Sequence, residues 1–477
     1  MNKKRLLSLV FIVFFAATTK ASAQSISYGG EVDSLRQMKP GIPDSGSLVS
    51  AFRKGKFRGN LRYFFMASDN KPGLTDYYAN AIGGGIKYET APYKGFQLAV
   101  GGFFIFNIGS SDLTKADPVT KQYNRYEIGL FDIRNPANKN NIAKLEELYL
   151  KYGWKQSRVV LGKQMINTPF INLQDGRMRP TEVGGIYGEV NDIKNTKIEG
   201  GFIYEVSPRS TVQWFTVAAS MGVNPQGLNT EGEKSDYAGN LKSKGIALLG
   251  ITHNTSKKFT FKLWDVFVQN IFNTAFLQTD FYYPLNADNK LTAGLQYVRQ
   301  DAMKDGGNPD PSKAYFVKNA KSNIWGFTTG WKNKSWQASL NYTRITKDGR
   351  FLMPREWGRE PLFTFLPRER NDGFGDLNAY LVEISRRMIK ERLQLQAGLG
   401  YYDLPDVHNY ALNKYSMPSY VQFNLEAVYV YNGLLQGLET RFLYVHKWRT
   451  GNTYDNAKYE INKVNFSLWN LVFNFNF

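Results

Sequence analysis

The sequence predicts an all-β fold: a transmembrane antiparallel β-barrel of eighteen strands, with long extracellular loops and short periplasmic turns. Three observations carry this. Apolar residues recur with period two, and no useful length of chain shows helical periodicity. Short and long connections alternate between the apolar runs. The composition also joins 15% aromatic residues, among them 29 Tyr and 33 Phe, to a hydrophobic share of only 42%. That mixture suits strands with one greasy and one wet face.

The chain opens on "MNKKRLLSLVFIVFFAATTKASAQ". Lys3, Lys4 and Arg5 precede an apolar run from Leu6 to Ala17, and Ala21-Ser22-Ala23 supplies the small residues of a cleavage site. Residues 1–23 read as a secretory signal peptide, with Gln24 as the first mature residue. The apolar run is too short for a spanning helix, and no later segment approaches the roughly 18 uncharged apolar residues such a helix needs. With no Cys in 477 residues, disulfides contribute nothing to an exported fold. Removing the leader takes four cations and no acid from the formal charge of +19, leaving +15. A balance of that sign favours anionic partners, and export argues against nucleic acid among them.

Residues 24–55 are polar, with Pro and Gly, and read as a periplasmic lead-in too short for a plug domain. The barrel occupies 56–477. Its first run, "KFRGNLRYFF", sets Phe57, Leu61, Tyr63 and Phe65 against Arg58, Asn60 and Arg62. Similar runs follow at 77–89, 96–107, 145–154, 158–166, 182–190, 196–206, 245–253, 258–268, 274–283, 290–301, 322–332, 335–345, 377–385, 393–402, 420–432, 437–448 and 463–477. Short links such as "KQS" (155–157), "NTSK" (254–257), "NK" (333–334) and "GLLQ" (433–436) alternate with long polar ones at 108–144, 207–244, 346–376 and 403–419. The last run, "SLWNLVFNFNF", alternates Trp469, Leu471, Phe473, Phe475 and Phe477 with Asn470, Asn474 and Asn476. It is expected to pair with the first run and close the barrel, because a closed ladder leaves no edge in lipid.

Three stretches, "GKFRGNLRYFFMASDN", "GKQMINTPFINLQDGRMRPTEVGGIYGE" and the closing aromatic strand, resemble OprD-type outer-membrane porins over roughly residues 51–477. The resemblance implies a monomeric eighteen-stranded barrel in the Gram-negative outer membrane. It also implies a narrow channel for small water-soluble nutrients, often carboxylate-bearing, lined by basic side chains. The terminal aromatic of Phe477 resembles the signal read by the barrel-assembly machinery.

Enzymatic signals are weak. His253, His408 and His446 are the only histidines, no Gly-x-Ser-x-Gly or His-Glu-x-x-His is present, and no Ser sits with a His as a nucleophile with its base. No cofactor is implied. Acidic clusters such as "SSDLTKADP" and "RERNDGFGD" lack metal-loop spacing and read as solvated loops, with lipopolysaccharide a partner of the outer surface. A barrel with a hydrolase or adhesion role is the alternative to a channel.

Giving the apolar face of each strand to lipid turns Arg58, Arg62, Lys87, Lys151, Lys197, Lys262, Arg441 and Lys447 toward the lumen. Glu89, Glu147, Glu199, Glu426 and Glu439 face the same way, so the lumen is mixed in charge, and the cations are expected either to meet solute or to brace the wall. Lys163 falls on the apolar register, which points to a phase error or a bulge. The long connection at 167–181 is expected to fold inward: Phe170 and Ile171 offer apolar anchors, Pro169 and Pro180 stiffen its ends, and Asp175-Gly176 makes a tight turn. Arg177 and Arg179, two residues apart, are then expected to present paired guanidinium groups to a carboxylate at the constriction, or else to anchor the loop to wall acids such as Glu147.

Overall fold

The computed structural model describes residues 44–174 and 177–477. The predicted leader, residues 24–43 of the lead-in and the Asp175-Gly176 turn lie outside the described residues. The end of the lead-in forms a short helix, α1 (Leu48–Arg53), whose first turn is capped by Ser47 accepting from the Ser50 amide at 3.1 Å.

The strands are β1 (Lys56–Asp69), β2 (Tyr77–Glu89), β3 (Phe96–Ser110), β4 (Ile142–Trp154), β5 (Ser157–Gln164), β6 (Glu182–Ile193), β7 (Thr196–Ser207), β8 (Phe215–Thr216), β9 (Ile246–Ser256), β10 (Phe259–Val268), β11 (Phe272–Pro284), β12 (Lys290–Ala302), β13 (Lys321–Lys332), β14 (Trp336–Ile345), β15 (Leu377–Met388), β16 (Leu393–Asp403), β17 (Tyr420–Val430), β18 (Leu438–Arg449) and β19 (Phe466–Asn476). Every neighbouring pair is antiparallel. The two-residue β8 pairs only with Glu205 and Val206 at the end of β7, and eighteen strands make the wall. β1 closes on β19 from Asn60↔Asn476 to Asp69↔Ser467. Phe477 extends the seam, donating to and accepting from the Gly59 backbone at 3.0 and 2.8 Å. Its ring lies over Gly59, where a Cβ would come within 2.2 Å of it.

The period-two reading of the faces holds. Leu61, Ile82, Phe104, Leu148, Leu340 and Leu399 point out and are exposed, as a lipid-facing band requires. Register shifts interrupt the alternation in several strand pairs, and the one in β4 bears on the site. In β4, Gly101 of β3 faces Glu147 while Gly102 faces Leu145, so Glu146 is an extra residue in a β-bulge. Both Glu146 and Glu147 thereby point inward and are buried. Lys163 points outward, opposite the outward Leu148, so the phase is right, and the expected bulge lies across the sheet, where Tyr204 is extra on β7 and Glu205 turns outward beside Gly184. Its ammonium reaches Glu205 at 2.8 Å across Gly184 and lies 3.6 Å from the Trp214 ring centroid. A Cβ on Gly184 would strike Glu205 at 2.3 Å, so glycine makes the room for this outward pair.

On the extracellular side the connections are long, except residues 70–76 between β1 and β2 and 269–271 between β10 and β11. Three of these loops turn into the barrel and fill its outer half. Inward apolar residues of the wall (Trp264, Val266, Phe276, Val298) meet Phe351, Trp357 and Phe170 of the loops in one buried cluster. The expectation of a wet inner face therefore holds for the periplasmic half and fails for the extracellular half. There the inner faces of strands such as β10 are apolar, with Trp264, Val266 and Val268 buried, and the loops supply the second layer.

Candidate functional site

The described residues of the segment, 167–174 and 177–181, pack against the inner wall. Phe170 and Ile171 are buried at 4% and 1% exposure, and the Phe170 ring meets Phe276 of β11 edge-on at 5.7 Å between centroids. Thr168 ties the bend, its hydroxyl accepting from the Ile171 amide and its own amide donating to the Ile171 carbonyl.

The two arginines separate. Arg179 is buried and forms a two-point pair with Glu146, including Nη2 to Oε2 at 2.6 Å, with its guanidinium 4.5 Å from the Phe103 ring centroid. Arg177 takes a positive φ of 53° and packs its side chain beside Gly129, on the 3₁₀ turn Glu127–Leu130 of the neighbouring loop. The expectation of two guanidiniums presented together to a solute is corrected: the positive φ breaks the extended run that would have aimed them alike. Arg179 is an anchor, and its partner is the bulge residue Glu146 rather than Glu147. Arg62 also serves the loop, donating from Nη1 to the carbonyls of Arg177 and Met178 at 2.8 and 2.9 Å and from Nε to Asn474 at 2.6 Å.

A second loop, 346–376, completes the constriction. It hangs from inward amide and hydroxyl groups of the wall. Gln296 donates to the Pro361 carbonyl, Gln300 exchanges two hydrogen bonds with the Leu352 backbone, Tyr402 donates to Thr364, and Gln422 and Asn424 both donate to Pro367. Asn172 and Thr181 bind it to the first loop, through the Arg359 and Glu356 carbonyls at 2.8 and 2.6 Å.

At its centre Glu369 receives Lys447 of β18 at 3.0 Å and Arg125 at 3.0 Å, with Arg355 at 3.8 Å. Burial would raise this carboxyl, yet Arg125, Lys447 and Arg355 hold it well below the usual carboxylate range. Asp372, on the same stretch, is 1% exposed and takes Arg355 Nε at 3.2 Å. The reading of "RERNDGFGD" as solvated is therefore corrected for Glu369 and Asp372, which are buried with cations folded onto them, while Asp376 is exposed and meets Arg344. In the "SSDLTKADP" cluster, Asp117 is likewise fully buried; burial pushes it up, but hydrogen bonds from Thr120 and Thr75 bring it down to about 2. For Glu127 burial outweighs the hydrogen bonding of Ser68 and the backbone and the pull of Arg177, and lifts it to about 7.

The remaining predicted residues line the inner wall. Lys87 pairs with Glu147 at 2.7 Å and Lys151 with Glu89. Lys197 reaches Glu199 at 2.7 Å and Glu189 at 3.7 Å, and Lys262 reaches Asp280 at 3.0 Å. Arg441 lies 3.5 and 3.8 Å from Glu426 and Glu439. Arg58, opposite Lys87 across the β1–β2 ladder, is exposed at the periplasmic mouth. Lys447, expected as a lumen cation, is instead wholly buried beneath the second loop.

Arg158 was missed: it pairs with Glu189 at 2.9 Å and, with Lys151, Lys197, Glu147, Glu199, Tyr149 and Tyr187, borders a polar pocket open to the lumen. The whole 346–376 loop was missed too, although its mixture of Phe, Leu, Trp and Arg is unlike a solvated connection. Among the described residues no group of three or more His, Asp or Glu could hold a metal ion.

Residues 132–363 match the family model for the outer membrane porin, OprD family. No curated protein matches the chain by sequence. Among solved structures, OccD3 (OpdP) of Pseudomonas aeruginosa is similar, at 14% identity, TM-score 0.68 and coverage of 93% of this chain and 97% of that one. OccAB1 of Acinetobacter baumannii is similar at 13% identity and TM-score 0.68, over 90% and 97% of the two chains. OpdK of Pseudomonas aeruginosa, crystallised with vanillate, is similar at 14% identity and TM-score 0.68, over 89% and 99%.

Proposed function

We propose that this chain, whose residues 132–363 match the model of the OprD family of outer-membrane porins, is a channel of the Gram-negative outer membrane that passes small water-soluble solutes by diffusion and prefers those bearing a carboxylate. The observation that carries this reading is the ladder of Lys87, Lys151, Arg158 and Lys197 beside the polar pocket, each cation holding a wall carboxylate. A solute carboxylate can replace a wall carboxylate on such a cation at little net cost, because one charge-assisted hydrogen bond is exchanged for another. Arg58, Lys262 and Arg441 belong to the same path, with Arg177 beside the constriction. Arg62, Arg179 and Lys447 act on solutes only through the loops they position. The packed outer half keeps the path narrow, so selection is by size as well as charge. A neighbour crystallised with an aromatic carboxylate supports the substrate class.

The same reading includes export by residues 1–23, recognition of β19 and Phe477 by the barrel-assembly machinery, contact of the outer surface with lipopolysaccharide, and function as a monomer. Swelling of protein-loaded liposomes in a panel of sugars, amino acids and organic acids tests the transport claim. Organic acids should enter faster than neutral solutes of equal size. Entry ranked by size alone would remove the carboxylate preference and leave an unselective pore.

A further inference from the structure

Beyond the ladder, a different arc of the wall carries cations that hold no carboxylate. Lys290 opens β12, Lys332 ends β13, and the two are direct cross-strand partners. Both face inward, on the register of the buried Gln296 and Val298. Arg387, near the end of β15, is on the inward register of Glu383 and Ser385, and its amide donates to the Ser335 carbonyl at 2.7 Å. Lys332 lies within electrostatic reach of both Arg387 and Lys290. Among the described residues none of the three has an acid within 4.0 Å, whereas Lys87, Lys151, Lys197, Lys262 and Lys447 each do.

Two like charges directly opposite on neighbouring strands destabilise a sheet. A third at the same mouth adds to that cost; the turns beside it carry Lys334 and Lys390 as well as Asp288 and Glu391, and among the described residues none of these acids comes within 4.0 Å of the three cations. The Lys290 ammonium is seated 5.3 Å from the Tyr282 ring centroid, which fixes its direction into the lumen. An anion held among the three would relieve this repulsion more than water alone does.

We propose that Lys290, Lys332 and Arg387 form a binding site for small polycarboxylate anions at the periplasmic exit of the pore. β12 and β15 are three strand spacings apart, so the cations spread over roughly 14 Å at the backbone and converge through their long side chains. A single carboxylate meets one of them; a di- or tricarboxylate bridges two or three. The fork of Arg387 suits a carboxylate edge, and the two ammoniums supply point charges. Anions released from the ladder would collect here before leaving, so the site would make entry and exit unequal for multivalent solutes. This deepens the porin reading and rests on it for its role in transport, though not for binding itself.

The test is calorimetric titration of the full chain in detergent with citrate, with acetate and with inorganic phosphate. The variants are the double substitution K290Q/K332Q and the single substitution R387Q, each checked for heat-modifiable migration as a folded barrel. Citrate should bind more tightly than acetate or phosphate, and its affinity should fall by roughly tenfold or more in the double variant. Citrate binding that is absent, no tighter than acetate's, or unchanged in both folded variants overturns the proposal. A channel that conducts without binding citrate loses the site and keeps the porin function. Binding without conduction has the opposite meaning.

Discussion

Replacing Glu369 by Gln should unhook the 346–376 loop from the wall. Lys447 has no exposed surface and no other carboxylate at hand, while Arg125 and Arg355 converge on the same group. Gln keeps the shape and removes the charge, leaving a buried ammonium beside the Tyr420 and Phe466 rings. Breaking a buried ion pair by deleting one partner costs about 3–5 kcal/mol. If that cost falls on loop docking, the undocked population rises by roughly a hundred- to several-thousandfold. Single-channel recording should then show higher and noisier conductance, and proteases should cut within 346–376 in folded barrels. The double variant Glu369→Leu/Lys447→Met removes the buried ammonium as well and should recover only the share of quiet conductance that Lys447 accounts for, since Arg125 still loses its carboxylate. Unchanged conductance and protease resistance in Glu369→Gln would refute the view that this carboxylate holds the constriction shut.

Three further outcomes follow from the same geometry. Arg179→Met should leave Glu146 without its buried partner and lower barrel thermal stability by about 3 kcal/mol or more, with ion selectivity in planar bilayers little changed; a clean selectivity shift at full stability would return Arg179 to the solute path. The depressed carboxyls Asp117 and Glu369 stabilise the loops fully above their unfolded values of 3.8 and 4.5, and lose that contribution as pH falls through the folded values, about 2 for Asp117. Protease sensitivity of the loops should accordingly rise on acidification toward that value and reverse on return. Glu127, lifted to about 7 by burial, has the opposite sign: its cost grows as pH rises from 4.5, where the unfolded group ionises, toward 7. Gln at this position should therefore flatten any difference in channel noise between about pH 6 and about pH 8.

Much of the fold was legible because period-two alternation is imposed by the membrane on every strand. β1, β17 and β19 could be read residue by residue, including their inward Arg62, Gln422 and Asn474. The constriction was half legible. Phe170 and Ile171 announced an inward loop, since apolar side chains on a polar connection need a wall to cover them. The directions of Arg177 and Arg179 were not legible, because a single positive φ at Arg177 reverses the register that an extended chain would keep. The loop 346–376 escaped for another reason. Its anchors are ordinary glutamines and asparagines on distant strands, Gln296, Gln300, Gln422 and Asn424, and only closure of the barrel brings them to one place. Charge pairing was hidden in the same way: sequence puts Lys447 inside but cannot say that Glu369 covers it.

The extra residue in β4 separates two functions that would otherwise compete for one side chain. Glu147 belongs to the wall ladder with Lys87, and Glu146 belongs to the loop through Arg179. Leu145 and Glu147 already oppose successive residues of β3, so deletion of Glu146 would restore an unbroken strand without turning any neighbour to the other face. The clamp on the constriction is thus a removable insertion in a complete frame. A lineage, or a protein engineer, can gain or lose it by one codon, altering how firmly the gate is fastened while the wall chemistry beneath remains as it was.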